Sequence, residues 1–253
     1  MASGQLAPQD FPDIATVYER FSALTAISPE LGGSLLLYAG LDRNGIALAI
    51  AANVAGAASL ALEPDLARAK RSIRNGACDF LVNTLDEALR ILKNEIRKSK
   101  PVSVALTGDA QAAVAEMIER GVQPDIVSGY SGGSGSSAGL ETLEARGARR
   151  LEFGSSSEGL PVTWRVEREP LQWLPVVDRL AAASLDLSDA STAARRRWIE
   201  SAPRYLGRAL AGQRYLRMSA AEGEAFVSAV RREVEGGGIG AAVTVAQDRA
   251  TGP

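Results

Sequence analysis

Val122-Gln123-Pro124-Asp125-Ile126-Val127 runs directly into Ser128-Gly129-Tyr130-Ser131-Gly132-Gly133-Ser134-Gly135-Ser136-Ser137, and the two halves of this stretch point in different directions. The first half reads as a buried strand closing a sheet of the dinucleotide-binding kind. The second half lies at the carboxyl end of that strand, where such a sheet presents its reactive side chains. It offers almost only Gly and Ser.

Upstream, short apolar runs recur at Ser34–Ala39, Ala58–Leu62, Asp79–Val82 and Val102–Leu106, with Asp125–Val127 as the fifth. Segments of helical period lie between them, near 44–55, 64–75, 84–98 and 109–120. In the third of these, Leu85, Ala88, Leu89, Leu92 and Ile96 make one apolar stripe, and Thr84 with Glu87 forms a capping box at its start. Strand–helix alternation of this kind implies an α/β fold with a doubly wound, mainly parallel, Rossmann-like sheet and right-handed crossovers.

Four segments are expected. Residues 1–33 form a helical lead-in, with Tyr18, Phe21 and Leu24 on one face. Residues 34–135 form the nucleotide-binding core, and 136–160 a Gly/Ser-rich loop with a polar interlude from Glu141 to Arg150. Residues 161–253 form a smaller C-terminal α/β part packing on the core, with helices near 170–183, 188–201 and 219–235 and strands near 162–167, 213–218 and 240–246. That part either completes the same sheet or makes a second lobe.

The bulk composition narrows the partners. In 253 residues, 46% are apolar and the net charge is −2, as in an ordinary globular protein. Near-neutral charge and 5% aromatics argue against a nucleic-acid partner. No apolar run approaches a membrane span, and the first residues lack a signal-peptide layout. A single cysteine, Cys78, excludes an internal disulfide and fits a reducing compartment, so the chain reads as cytoplasmic. The chain has no histidine, which rules out Ser-His and Cys-His nucleophile pairs within it and leaves acid–base work to carboxylates, Lys or Tyr. No metal site is expected.

The turn after the first strand reads Gly40-Leu41-Asp42-Arg43-Asn44-Gly45. A pyrophosphate at a helix N-terminus needs close backbone approach, which glycines allow. Two glycines five apart meet that need in part; Asp42 adds a negative charge where phosphates would sit, and Arg43 is placed to offset it. Glu63 follows the second strand at the spacing of an acid that binds ribose hydroxyls, and it equally fits a solvated acid at a helix start. Arg68, one turn on, is placed to hold Glu63 or a phosphate.

These residues carry a family resemblance. Residues 34–135 resemble, without gaps, the NAD-binding domain of urocanase (urocanate hydratase). Gly40-Leu41 and its small-residue helix stand at that family's "GLGGMSGAQ" turn, Leu62-Glu63-Pro64-Asp65-Leu66-Ala67-Arg68 and Arg74-Asn75-Gly76 at its "VEVDPAR…RTG", and Thr84-Leu85-Asp86-Glu87-Ala88 at its "TLDEA". Gly108-Asp109-Ala110 stands at "GNA" and Arg120-Gly121-Val122-Gln123-Pro124-Asp125-Ile126-Val127 at "RGVRPDIV". Weaker similarity flanks this block at 11–33, at Arg197–Ile199, at Arg214–Leu216 and at Val243–Asp248, while the family's N-terminal and far C-terminal segments have no counterpart, as in a shortened, divergent member.

In that family NAD is a tightly held electrophile: its nicotinamide adds to the substrate imidazole so that water can add to the conjugated system, and the protein binds and orients it. By position, the resemblance implies NAD contacts at Arg43, Asn44, Gly45, Glu63, Arg68, Asp109, Ala110, Tyr130 and Ser131. Gly45, Glu63, Arg68 and Ala110 keep the family residue type, Asp109 replaces an Asn and Arg43 a Gly. The nicotinamide loop "TDQTSAHD" becomes Ser128–Gly135, losing Asp, Gln and His; "FQGLPARICW" keeps Arg214 but has Leu216 at its Cys.

The resemblance therefore implies a lyase-like ancestor, a homodimer and NAD or another nucleotide as ligand, without urocanate hydration and with no assigned catalytic residue. Two readings stay beside it: an enzyme of altered specificity built on Tyr130, Ser131, Arg43 or Asp42, and a non-catalytic scaffold with an empty pocket. Gly236–Gly240 reads as a helix C-cap and connector, and Arg195-Arg196-Arg197 as a solvated helix face.

Overall fold

Each of the five apolar runs of 34–127 forms a parallel strand: β1 (Leu35–Ala39), β2 (Ala58–Glu63), β3 (Phe80–Val82), β4 (Val102–Thr107) and β5 (Ile126–Ser128). The computed structural model describes residues 11–129, 137–153, 158–210 and 212–247. Helices α1 (Ile14–Ile27), α2 (Arg43–Ala55), α3 (Leu66–Arg74), α4 (Leu85–Ile96) and α5 (Ala110–Glu119) alternate with these strands. The sheet order is β3-β4-β2-β1-β5-β6, where β6 (Arg149–Leu151) lies outside β5, so β5 does not close the sheet. β5 itself spans Ile126–Ser128; before it Pro124 has no N–H to give to a ladder, while Asp125 N donates to Leu35 O (2.9 Å).

The two faces of the sheet are packed differently, and residue size explains why. On one face Leu35, Leu37, Leu60, Leu62, Val104 and Leu106 meet Leu85, Leu89 and Leu92 of α4 and Val114 and Met117 of α5. Burying each such leucine contributes about 1.5–3 kcal/mol. On the other face the alternate positions include Ser59, Ala61, Ser103 and Ala105, whose small side chains let α2 approach closely. Residues 45–55 of α2 are all buried, so this helix is apolar all round and takes α1 on its outer side, against Val17, Tyr18, Phe21 and Leu24. At the amino ends of the strands, Asp125 accepts from Leu35 N (2.8 Å) and Asp79 from Ser103 N (2.8 Å), each closing a gap in the ladder.

The segment 136–160, expected as a Gly/Ser-rich loop, contains α6 (Ser137–Ala145) and β6. Its apolar residues decide this against its composition: Leu140, Leu143 and Leu151 are buried, and Gly139 lets α6 sit against α5, where an added Cβ would come within 2.7 Å of Val114. The first compact unit accordingly spans Met1–Phe153 and the second Gly154–Pro253.

The second unit does not extend the parallel sheet. Its β7 (Leu160–Val166) is the centre of an antiparallel sheet between β8 (Gln213–Met218) and β9 (Val243–Gln247). It also contains α7 (Pro170–Ala183), α8 (Thr192–Tyr205), α9 (Gly207–Leu210) and α10 (Ala220–Glu235). Trp164 and Phe226 stack edge to face at its core, 5.1 Å between centroids. Gly236 caps α10 by donating to Arg232 O, as expected of the glycine run. The arginine triplet divides, contrary to expectation: Arg195 is buried against Glu222 (2.7 Å) and Asp189 (2.8 Å), while Arg196 is exposed. Among the described residues, no helix is long and apolar enough to cross a membrane.

Candidate functional site

In a doubly wound sheet, ligands settle outside the carboxyl ends of the strands, at the point where strand order reverses. Here that point is β1, flanked by β2 and β5. The β1–α2 turn keeps the backbone of a nucleotide-binding turn. Gly40 has φ +82° and donates to Leu62 O (2.9 Å); Gly45 packs so tightly that an added Cβ would lie 2.0 Å from Gly40 O. The first glycine makes the bend and the last brings the helix against it.

What fills this turn belongs to the chain. Asp42 is the N-cap of α2, and its Oδ1 accepts from Gly45 N (2.9 Å). Glu63, at the end of β2, is 0% exposed. Its Oε2 accepts from Leu41 N (2.6 Å), its Oε1 from Asp65 N (2.8 Å), and Arg68 Nη1 stands 3.4 Å from both oxygens. The carboxylate thus ties the β1 turn to the start of α3. Arg43 and Asn44 are engaged by α1 instead: the Arg43 guanidinium pairs with Asp13, and Asn44 Oδ1 accepts from Arg20 (3.4 Å).

The neighbouring helix starts follow the same pattern. Asp65 accepts from Ala67 N (2.8 Å) and Arg68 N (3.2 Å), and these two backbone N–H groups, Arg68's first, hold its carboxyl below the usual range. Thr84 accepts from Glu87 N (3.3 Å), although the other half of the expected capping box goes to Asn83 N rather than to Thr84. Asp109 caps α5 by accepting from Ala112 N (2.8 Å). The sheet edge therefore presents carboxylates at the N-termini of α2, α3 and α5, where a phosphate would otherwise be favoured.

A cavity of about 370 Å³ opens beside this edge, at the ends of β2, β3 and β4. Leu62, Leu85, Leu106 and Ala113 give it an apolar floor; Asn83, Asp86, Thr107, Asp109 and Glu116 stand around it. Its volume is within the range of small-molecule sites. Thr107 Oγ1 donates to Asn83 Oδ1 (2.8 Å), which leaves Asn83 its Nδ2 N–H pair and one Oδ1 lone pair to offer a ligand. Arg120 pairs with Asp86 and with Glu116 (2.7 Å). Among the described residues, no basic residue lines the cavity.

Of the nine residues expected to touch NAD, Asp109 and Ala110 line this cavity, while Glu63 and Arg68 pair with each other in the wall behind the β1 turn. Arg43, Asn44 and Gly45 form the first turn of α2, and Tyr130 and Ser131 lie outside the described residues. Sequence reasoning missed Asn83 and Thr107, which become neighbours only once β3 pairs with β4. It also read Asp42 as a nearby charge or a residue of a rebuilt site; an Asp just before a helical segment, the usual N-cap, was the available signal. Arg214, kept from the family's signature, is buried in the second unit with its Nε on Asp178 (3.0 Å), and Leu216 is packed in that unit's core. Burial pushes the Cys78 thiol up to about 12, which leaves it no role as a nucleophile. Among the described residues, no group of three or more His, Cys, Asp or Glu is arranged to hold a metal ion.

NAD held in the ordinary way needs the turn's N–H groups for its pyrophosphate and an open carboxylate for its ribose. Leu41 N and Gly45 N are already bound by carboxylates, and Glu63 is closed on both oxygens. The residues present do not fit that mode. They do fit the fold: a family model described as the urocanase Rossmann-like domain matches residues 14–133, from the first residue of α1 to beyond β5. Residues 14–133, the part of the chain that carries this site, are thus similar to the urocanase Rossmann-like domain.

Proposed function

We propose that this protein binds an uncharged, adenosine-like ligand at the carboxyl edge of its urocanase-type sheet, without hydrating urocanate. The cavity between β2, β3 and β4 carries this reading: it pairs an apolar floor suited to a planar ring with hydrogen-bonding groups at Asn83, Thr107 and Asp109. Asp109 at the cavity's edge disfavours phosphate, the other two rim carboxylates being paired with Arg120, and so does the closed β1 turn. NAD, the cofactor expected from the family, is therefore a poorer ligand than adenosine. The substituted residues of the 128–135 loop and the lack of histidine support loss of the hydration reaction.

Calorimetric titration of the full chain with adenosine, NAD and urocanate tests this. Adenosine is expected to bind, NAD to bind at least tenfold more weakly, and urocanate absorbance to remain constant with and without added NAD. Tight NAD binding or urocanate depletion overturns the reading. A second reading, a dinucleotide retained across the turn, is favoured by the preserved Gly40–Gly45 packing and corresponds to the first of those contrary outcomes. Family analogy also supports a homodimer, which light scattering checks directly.

A further inference from the structure

Gly40, Asp42 and Gly45 stand at the first, third and sixth positions of a Gly-x-Gly-x-x-Gly frame, so Asp42 occupies the place of the middle glycine. That glycine is the one that lets the backbone approach a pyrophosphate. The outer two do their usual work here: φ +82° at Gly40, and contact at Gly45 too close for a Cβ. Of these three positions only the middle one carries a side chain, and it folds onto the helix terminus, with Oδ1 2.9 Å from Gly45 N.

We propose that Asp42 is the specificity-determining residue of this edge: its carboxylate acts as a built-in anion at the N-terminus of α2 and excludes nucleotides that carry phosphate. Glu63 supports it from behind by engaging the Leu41 N–H, and Arg43 does not offset the charge because Asp13 holds its guanidinium. The inference rests on the ligand reading above, in which adenosine is accepted and phosphate refused. It further implies that Asp42 contributes most to the refusal at the turn, because the turn beneath it is intact.

Two variants test it, Asp42→Gly and Asp42→Asn, titrated with adenosine, ADP and NAD and checked for folding by circular dichroism. Asp42→Gly restores the full glycine frame and is expected to bind ADP and NAD at least tenfold more tightly than the wild type, with adenosine affinity unchanged. Asp42→Asn keeps a capping oxygen without the charge; it is expected to gain part of that affinity and remains informative if the glycine variant does not fold. Folded variants that bind ADP and NAD no better than the wild type, while adenosine still binds, overturn the role of Asp42. Wild-type protein that does not bind adenosine overturns the ligand reading instead, and wild-type protein that binds NAD as tightly as adenosine overturns both.

Discussion

Glu63 shows how far spacing alone reaches. Its distance from the β1 turn marks it as a ribose-binding acid, yet the structure buries it completely on two backbone N–H groups and Arg68. The spacing was legible; the burial was not, because it depends on the parallel β1–β2 register that sets Ala39 beside Leu62 and turns Leu41 N toward the carboxylate. Removing it leaves those donors buried without partners, at a cost of about 3 kcal/mol. Urea unfolding of Glu63→Ala is expected to show a loss of that order, whereas a solvated acid would change stability by less than about 0.5 kcal/mol.

At the scale of elements, strong periodicity was decisive and composition misled. The α4 stripe of Leu85, Ala88, Leu89 and Leu92 is buried as its spacing requires. The Ser- and Gly-rich stretch after β5 hid α6 and β6, whose few apolar residues were too sparse to outweigh their neighbours without knowledge of the adjacent strand. The Arg195–Arg197 triplet failed differently, since consecutive helix residues face in different directions. Arg195 enters a buried network with Glu222, which also accepts from Asp186 N (2.8 Å) and Ser219 N (2.8 Å). Arg195→Ala strands that carboxylate and is expected to cost about 3–5 kcal/mol. Arg196→Ala, on the exposed side, is expected to change stability by no more than about 0.5 kcal/mol, and urea unfolding of the two variants side by side checks the difference.

At the scale of the whole molecule, the two units respond to different chemistry. The second concentrates buried charge, and its carboxylates are shifted in opposite directions. Burial pushes Asp178 above its ordinary 3.8, against the pull of Arg214 and Trp164. Its contribution to stability is therefore present below that value and fades as pH rises through the folded one. Burial also pushes Glu222 up, but Arg195 and two backbone N–H groups hold it below its ordinary 4.5, so its contribution is present above 4.5 and lost as pH falls. Acid unfolding is thus expected to steepen in Asp178→Asn and to flatten in Glu222→Gln; parallel curves would show that neither group governs the response. The first unit holds the ligand edge, where the family fold is kept and the phosphate turn is filled by the chain's own carboxylates. Titration calorimetry of the wild-type chain with adenosine and NAD side by side measures that most directly. Binding heat with adenosine and little or none with NAD is the expected result, and NAD binding as tightly as adenosine or more so would contradict it.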